Sequence, residues 1–266
     1  MLKESVADFG QVGLGLRREM LDEMLIDVPK PIEFLEVAPE NWLKLGGRFG
    51  KQFKQLTEQH AFVCHGLSLK AFFKEHNIRL FSEHLSYCSG EGHMYDLMPI
   101  PFTEDAIKHV ASRIRQVQDI LEQPIAIENV SYYGAPGQQM TELEFTNAVL
   151  EEADCKLLLD VNNIYVNSIN HGYDAEQFLA ALPTKRIAYG HVAGHYTEAE
   201  DLLVDTHGAP VIDPVWQLLE KAYEVHGVFP TLLERDFNIP PMSELLAELK
   251  TIEALQQTAS KQNQVR

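Results

Sequence analysis

Short apolar runs recur along this chain, and one after another stops at a histidine, a carboxylate or an amide. Phe62-Val63-Cys64 runs into His65, and Leu80-Phe81-Ser82 into Glu83-His84. Ile125-Ala126-Ile127 stops at Glu128-Asn129, and Leu157-Leu158-Leu159 at Asp160. Ile187-Ala188-Tyr189-Gly190 stops at His191, and Leu232-Leu233 at Glu234. The runs are β-branched or Leu-rich and continuous rather than alternating, which is how strands covered on both faces of a parallel sheet read. Strands are expected at 11–17, 32–37, 61–65, 79–85, 125–130, 156–161, 186–192 and 231–236.

Helical periodicity fills the gaps, most clearly at 103–122, 141–152, 175–181, 213–226 and 243–257. Thr103 offers a capping hydroxyl, and Glu104 and Asp105 put two acids where the helix dipole favours them. Thr141 stands three residues before Glu144, the spacing of a capping box. Asp213 precedes Pro214, an N-cap candidate before proline at the first helical position. Eight strands alternating with helices predict one (β/α)8 TIM-type barrel over residues 1–266, with a fraying polar tail at 256–266. A doubly wound open sheet is the alternative that strand number alone leaves standing.

In a parallel barrel all C-terminal strand ends open on one face, so His65 and Glu234 would converge despite their separation in sequence. A lone His or Asp at a strand end more often caps a helix or satisfies a loop. Six strands with the same habit are different, because several buried carboxylates need countercharge. Few Lys or Arg stand beside these strand ends, Arg235 being the main exception. Metal cations are the expected countercharge, and mixed imidazole and carboxylate donors suit Fe, Mn, Zn or Co better than Ca²⁺ or Mg²⁺ alone. His65, His84, His191 and His207 supply imidazoles; Glu128, Asp160, Asp205 and Glu234 supply carboxylates; Asn162 or Asn163 adds an amide oxygen. That is more than one four- to six-coordinate ion needs, so two or three ions sharing a carboxylate are expected.

Composition sets the outer limits. The chain carries 39 acidic against 22 basic residues, a formal charge of −17. A nucleic-acid groove must be built from Lys and Arg, so no such partner is expected. No apolar run approaches the ~20 residues of a membrane span, and the first ten residues lack an apolar stretch, so a cytoplasmic location without a membrane role is expected. Three cysteines, Cys64, Cys88 and Cys155, are an odd number without CxxC spacing, which argues against a disulfide framework and a thiolate zinc site. Gly13-Leu14-Gly15 lacks the third glycine and the Lys-Ser/Thr of a phosphate loop. The segment 131–140 reads as a loop near the mouth, where Tyr132 and Tyr133 either line a groove or cover the rim.

At these residues the chain resembles a known family. The strings FLEVAPENW (34–42), HGLSL (65–69), SEHLSYC (82–88), ENVSYY (128–133), LLLDVNNIYVNS (157–168), HVAGH (191–195), DTH (205–207) and LLERD (232–236) appear in order. Together they resemble the multinuclear non-heme iron-dependent oxidative enzymes, relatives of the methanobactin-biosynthesis oxidase. The resemblance runs from about residue 10 to 249. It implies a xylose-isomerase-like barrel holding two or three iron ions, with Mn or Zn as substitutes. His65, His84 and Glu128 would hold one ion, and Glu128 would bridge to a second held by Asp160, His191 and Glu234. Asp205, His207 and Asn163 would hold the third. The implied activity is O2-dependent modification of residues, often cysteine, in a ribosomally made peptide, with a partner protein delivering the peptide.

Within that scheme Glu128, Asp160 and His191 form the expected catalytic core. Glu36, Asn41 and His195 are candidates for substrate contact or for hydrogen bonds behind the ligands, Glu36 alternatively being a partner of Arg17 or Lys70. One departure stands out: fourteen residues separate His65 from Leu80, where family members carry a longer, Gly-containing segment. The competing readings are a metal-dependent sugar isomerase or epimerase, an endonuclease-like barrel hydrolase, and a metal-storage module. The charge disfavours the endonuclease, and no lysine at a strand end serves an isomerase.

Overall fold

The computed structural model describes residues 9–38, 41–42, 46–65, 76–89 and 93–265. Eight parallel strands close into a barrel: β1 (Val12–Gly15), β2 (Phe34–Val37), β3 (Ala61–His65), β4 (Ile78–His84), β7 (Ala126–Glu128), β8 (Lys156–Asp160), β9 (Ile187–Val192) and β12 (Thr231–Leu233). Their order around the barrel is their order in the chain, as a (β/α)8 connection demands, and the open sheet is excluded. Each falls inside or beside an expected strand, β4 starting one residue early.

Two inward- and outward-facing sets of residues follow from strand alternation. The interior is filled by Phe34, Val63, Leu80, Ala126, Leu158, Tyr189 and Leu232. Phe9 stacks edge-on against Phe34 and Tyr189 there, with centroids 4.8 and 6.2 Å away. Gly13 belongs to this packing: an added Cβ would meet the Phe34 ring at 2.3 Å, so the glycine admits an aromatic ring rather than a phosphate. Outward residues such as Phe62, Cys64, Phe81, Ile127 and Leu159 join the larger core beneath the helices. Cys64 thus points away from the interior, as alternation required.

The helices are α1 (Leu21–Ile26), α2 (Gly47–Gln59), α3 (Glu104–Leu121), α4 (Glu142–Ala153), α5 (Val161–His171), α6 (Ala175–Ala180), α7 (Asp213–His226) and α8 (Met242–Val265). Thr103 caps α3 by accepting from Ala106 N at 3.2 Å, and Thr141 with Glu144 closes both halves of the capping box on α4. The N-cap of α7 is Ile212, not Asp213, which sits one place inside the helix ahead of Pro214. The tail does not fray at 256: α8 is helical to Val265, and Gln256 is buried, donating to Gln11 O and Phe229 O at the strand N-terminal end of the barrel.

Three helices, α1, α2 and α5, and two antiparallel hairpins were not expected. The hairpins are β5 (Ser86–Ser89) with β6 (His93–Pro99), and β10 (Tyr196–Ala199) with β11 (Leu202–Val204). Both are inserted after barrel strands on the face where the ligand-type residues emerge. The segment after His65 that includes Lys70, and the side chains of Cys88 and His93, lie outside the described residues.

Candidate metal centre

Parallel register sets the ligand-type residues side by side: His84 stands opposite Glu128 on the neighbouring strand, and Asp160 opposite His191. Among the described residues three groups of metal-competent atoms result, the atoms of each within 4.8 Å of one another. They are His65, His84 and Glu128; then Glu128, Asp160, His191 and Glu234; then His207, Glu234 and Asp236. Glu128 is common to the first two and Glu234 to the last two, so the three groups form one continuous chain.

His65, His84 and His191 each have one ring nitrogen held and the other turned inward. His65 Nδ1 meets Ser82 Oγ at 2.9 Å, and Ser82 Oγ in turn meets the Tyr189 hydroxyl at 2.7 Å. His84 Nδ1 meets Glu83 Oε1 at 3.2 Å. His191 Nε2 meets Glu36 Oε2 at 3.1 Å, and Tyr189 donates to the same oxygen at 2.6 Å. A partner on one nitrogen fixes the tautomer and frees the lone pair of the other for an ion.

The inward atoms are where a cation is called for. His65 Nε2 and His84 Nε2 face each other at 2.9 Å, and Glu128 Oε2 lies 3.1 and 3.5 Å from them. With both Nδ1 atoms engaged outward, three lone pairs converge there, which repel unless a positive charge sits among them. His191 Nδ1 lies 2.9 Å from Glu234, 3.6 Å from Glu128 and 3.9 Å from Asp160. Asp160 Oδ2 and Asn163 Oδ1 are buried without a hydrogen-bond partner. Two orphaned oxygens beside these converging donors fit a metal site, since unpaired buried polar atoms are rare and costly.

Protonation follows the same pattern. Burial opposes the charged form of His65, but the facing Glu128 carboxylate overrides it and lifts the imidazole to about 9. Burial likewise opposes charge on His191 and His207, and the carboxylates Glu36 and Glu234, and Asp205 and Glu234, raise them well above their ordinary value. Glu128 and Glu234 are held low against burial by those histidines. Asp160 goes the other way, pushed well up by burial and by Glu128. Protons thus stand in for cations around these carboxylates.

Asp160 has two tasks. Its Oδ1 caps α5 by accepting from Asn163 N at 2.6 Å, which leaves Oδ2 aimed at the centre. Asn129 clamps the same strand end, donating to Asp160 O at 2.8 Å and accepting from Asp160 N at 2.9 Å. Between the two amides after Asp160, Asn162 is fully engaged, bridging His195 Nδ1 at 2.7 Å and Asp205 Oδ1 at 2.9 Å. Asn163 donates to Asn129 O and keeps a free buried oxygen. That oxygen makes Asn163 the better ligand of the pair.

Other expectations need correction. Asp205 lies 2.6 Å from His207 Nε2, but the third group is completed by Glu234 and Asp236. Asp236 was missed although it stands two residues after Glu234, the spacing that made Asp205 and His207 suspect; it also pairs with Arg17. Glu36 is therefore no partner of Arg17: it is buried behind His191, not exposed at the mouth to substrate. His195 is buried too, kept below its ordinary pKa by that burial against the pull of Asp205. Asn41 is exposed after β2 and bonds Arg18 and Ala38 rather than any ligand. Arg235, the cation beside the strand ends, turns away to Glu248 at 2.7 Å. Ser82 and Asn129 act through residues of the neighbouring strand, and Glu83 through the adjacent His84.

Comparison with known proteins supplies a family. A family model described as RiPP precursor modification enzyme MbnB/TglH/ChrH matches residues 11–71 and 68–257. Its two stretches overlap at residues 68–71. A protein of Shewanella sediminis named only as a UPF0276 protein is 65% identical, over 94% of this chain and 96% of its own length. Among solved structures, a xylose isomerase-like TIM barrel protein from Mycobacterium smegmatis in complex with magnesium superposes with a TM-score of 0.55, at 11% identity over 96% and 99% of the two chains. Endonuclease IV from Thermus thermophilus gives 0.58 at 12% identity over 93% and 99%. At such identities the likeness is one of fold, a xylose-isomerase-like barrel.

Proposed function

Since the chain belongs to the MbnB/TglH/ChrH family of RiPP precursor modification enzymes, we propose that it is an iron-dependent oxidative enzyme that uses O2 to modify a residue, cysteine by expectation, of a ribosomally made peptide. The observation that carries this reading is the unbroken chain of three ligand groups joined through Glu128 and Glu234. Iron bound there supplies the redox chemistry. His65, His84 and Glu128 would hold one ion, and Glu128, Asp160, His191 and Glu234 a second. His207, Glu234 and Asp236, with Asp205 and the Asn163 oxygen beside them, would hold a third.

The protein's own part is positional. Glu36, Ser82 and Glu83 keep the imidazoles turned so that one nitrogen of each faces inward. Glu128, Asp160 and His191, almost wholly buried, keep the middle of the centre dry, which strengthens every charge interaction in it. A partner protein that delivers the peptide belongs to the proposal. So does a cytoplasmic location, supported by an odd number of cysteines, three, without CxxC spacing. The isomerase and endonuclease readings draw on a fold likeness alone.

Metal analysis of protein purified without chelators tests the core of the reading. Two to three equivalents of iron are expected, with Glu128→Gln losing at least one. Less than one equivalent of any transition metal, or a Glu128→Gln variant with undiminished metal content, would overturn it.

A further inference from the structure

One face of the barrel mouth carries a groove of about 1000 Å³, at the upper end of the ~300–1000 Å³ typical of small-ligand pockets. Loops from four barrel strands build it: the β5–β6 hairpin after β4 gives Tyr87 and Leu97, the loop after β7 gives Tyr133, the loop after β11 gives Asp205, and the loop after β12 gives Asp236 and Phe237. Its depth ends on the third ligand group, because Asp236 belongs to that group and Asp205 touches His207. The wall between is fixed: Ser131 donates to Asp205 Oδ2 at 2.9 Å, and Tyr133 accepts from Asp205 N at 2.8 Å.

The groove is also where exposed rings concentrate. Among the described residues five aromatic rings are more than two-fifths exposed, Phe49, Tyr87, Tyr133, Tyr196 and Phe237, and three of these line this groove. Leu97, 44% exposed, adds an aliphatic side chain to the same lining. Apolar area left in water and gathered at one place marks a binding surface, and rigid rings are the side chains best suited to anchor a partner. The charges in the described lining are Asp205 and Asp236, with no lysine or arginine, in a chain of net charge −17.

The geometry points to this groove as the seat of an extended peptide segment with aromatic or long apolar side chains and few acidic ones, anchored on Tyr87, Tyr133 and Phe237. The residue to be modified then reaches the centre from the side of His207 and Asp236. These rings, not the ligands, select the peptide. This inference rests on the peptide-modifying reading above, yet binding and turnover separate the two.

A phage-displayed library of random hexapeptides, panned against the purified metal-loaded protein, tests it. Recovered sequences are expected to be enriched in Phe, Tyr, Trp and Leu and depleted in Asp and Glu. Fluorescence anisotropy of the strongest hexapeptide should show at least tenfold weaker binding to Tyr87→Ser/Phe237→Ser. That variant should keep the wild-type metal content and Tm, because both side chains are exposed. Ile120→Ser, an equally exposed position on α3 outside the groove, should bind as the wild type does. No aromatic enrichment, or equal binding by the double variant, overturns the inference. Groove binding by a protein that holds no iron would sink the proposed function and leave the groove standing.

Discussion

Glu36 and His191 are 155 residues apart in sequence and 3.1 Å apart across the barrel interior. The contact decides which imidazole nitrogen carries the proton, and so whether His191 Nδ1 presents a lone pair to Glu128, Asp160 and Glu234. Partners placed behind a ligand are worth about 10–100-fold in metal affinity. Glu36→Gln keeps the size of the side chain and an oxygen for the Tyr189 hydroxyl, but gives up the charge that fixes the ring. Its metal affinity, measured by competition with a chromogenic chelator, is expected to fall by about that factor while the Tm of the metal-free protein changes little. Unchanged affinity would mean that Glu36 only fills space. The convergence of the ligand-type residues was legible because strand ends gather at one face, so a polar residue after an apolar run is informative by position. Glu36 was legible as a candidate for substrate contact or for a hydrogen bond behind the ligands, and the structure shows the second. Ser82 and Glu83 were not legible as supports, because their role depends on side-chain rotamers that the sequence does not show. Asp236 escaped for a plainer reason: the strand-end reading stopped at Glu234, with the outward-turning Arg235 in between.

Among the elements, α4 shows the most complete agreement between local signal and structure. Thr141 Oγ1 accepts from Glu144 N at 3.2 Å, and Glu144 Oε2 accepts from Thr141 N at 2.8 Å. Both contacts are written in four residues of sequence, so tertiary context had nothing to override. Thr141→Ala removes the first while leaving the buried face of the helix intact. It should cost about 1 kcal/mol, read as a lower guanidinium midpoint at unchanged slope. A cost near zero would show that packing alone holds this helix start. The opposite case is α5, whose sequence Val161–His171 holds four asparagines and four β-branched residues and reads as a poor helix. It forms because Asp160 caps it and its neighbours hold its amides: Asn162 bonds His195 and Asp205, and Asn167 bonds Val130, Tyr132 and Glu142. The two hairpins were unreadable for a related reason. Each is two short strands on a barrel rim, with no core face of its own to impose an apolar period.

For the molecule as a whole, the question is how an acidic chain tolerates carboxylates inside. Around the centre, histidines and the proposed ions supply the answer, but one buried carboxyl lies away from it. Glu142, 7% exposed at the first position of α4, accepts from Asn167 Nδ2 at 3.1 Å, and no cation faces it among the described ion pairs. Burial pushes its carboxyl up to about 7, an effect that the Asn167 hydrogen bond only partly offsets. In the unfolded chain the group titrates near ~4.3. Below that pH it is neutral in both states and costs nothing. Between there and about 7 the unfolded chain releases its proton first, so stability falls as pH rises, and above 7 the loss is complete. Across the whole window the loss amounts to about 4 kcal/mol. Glu142→Gln removes the ionisation and keeps an oxygen for Asn167. Relative to wild type, the variant should therefore gain stability between pH 4.5 and pH 8, measured on metal-free protein as the change in guanidinium midpoint at each pH. The comparison isolates Glu142 because the titrations of the ligand groups are common to both proteins. If the difference between variant and wild type is the same at both pH values, Glu142 is ionised in the fold, and a positive charge that it faces has to be found.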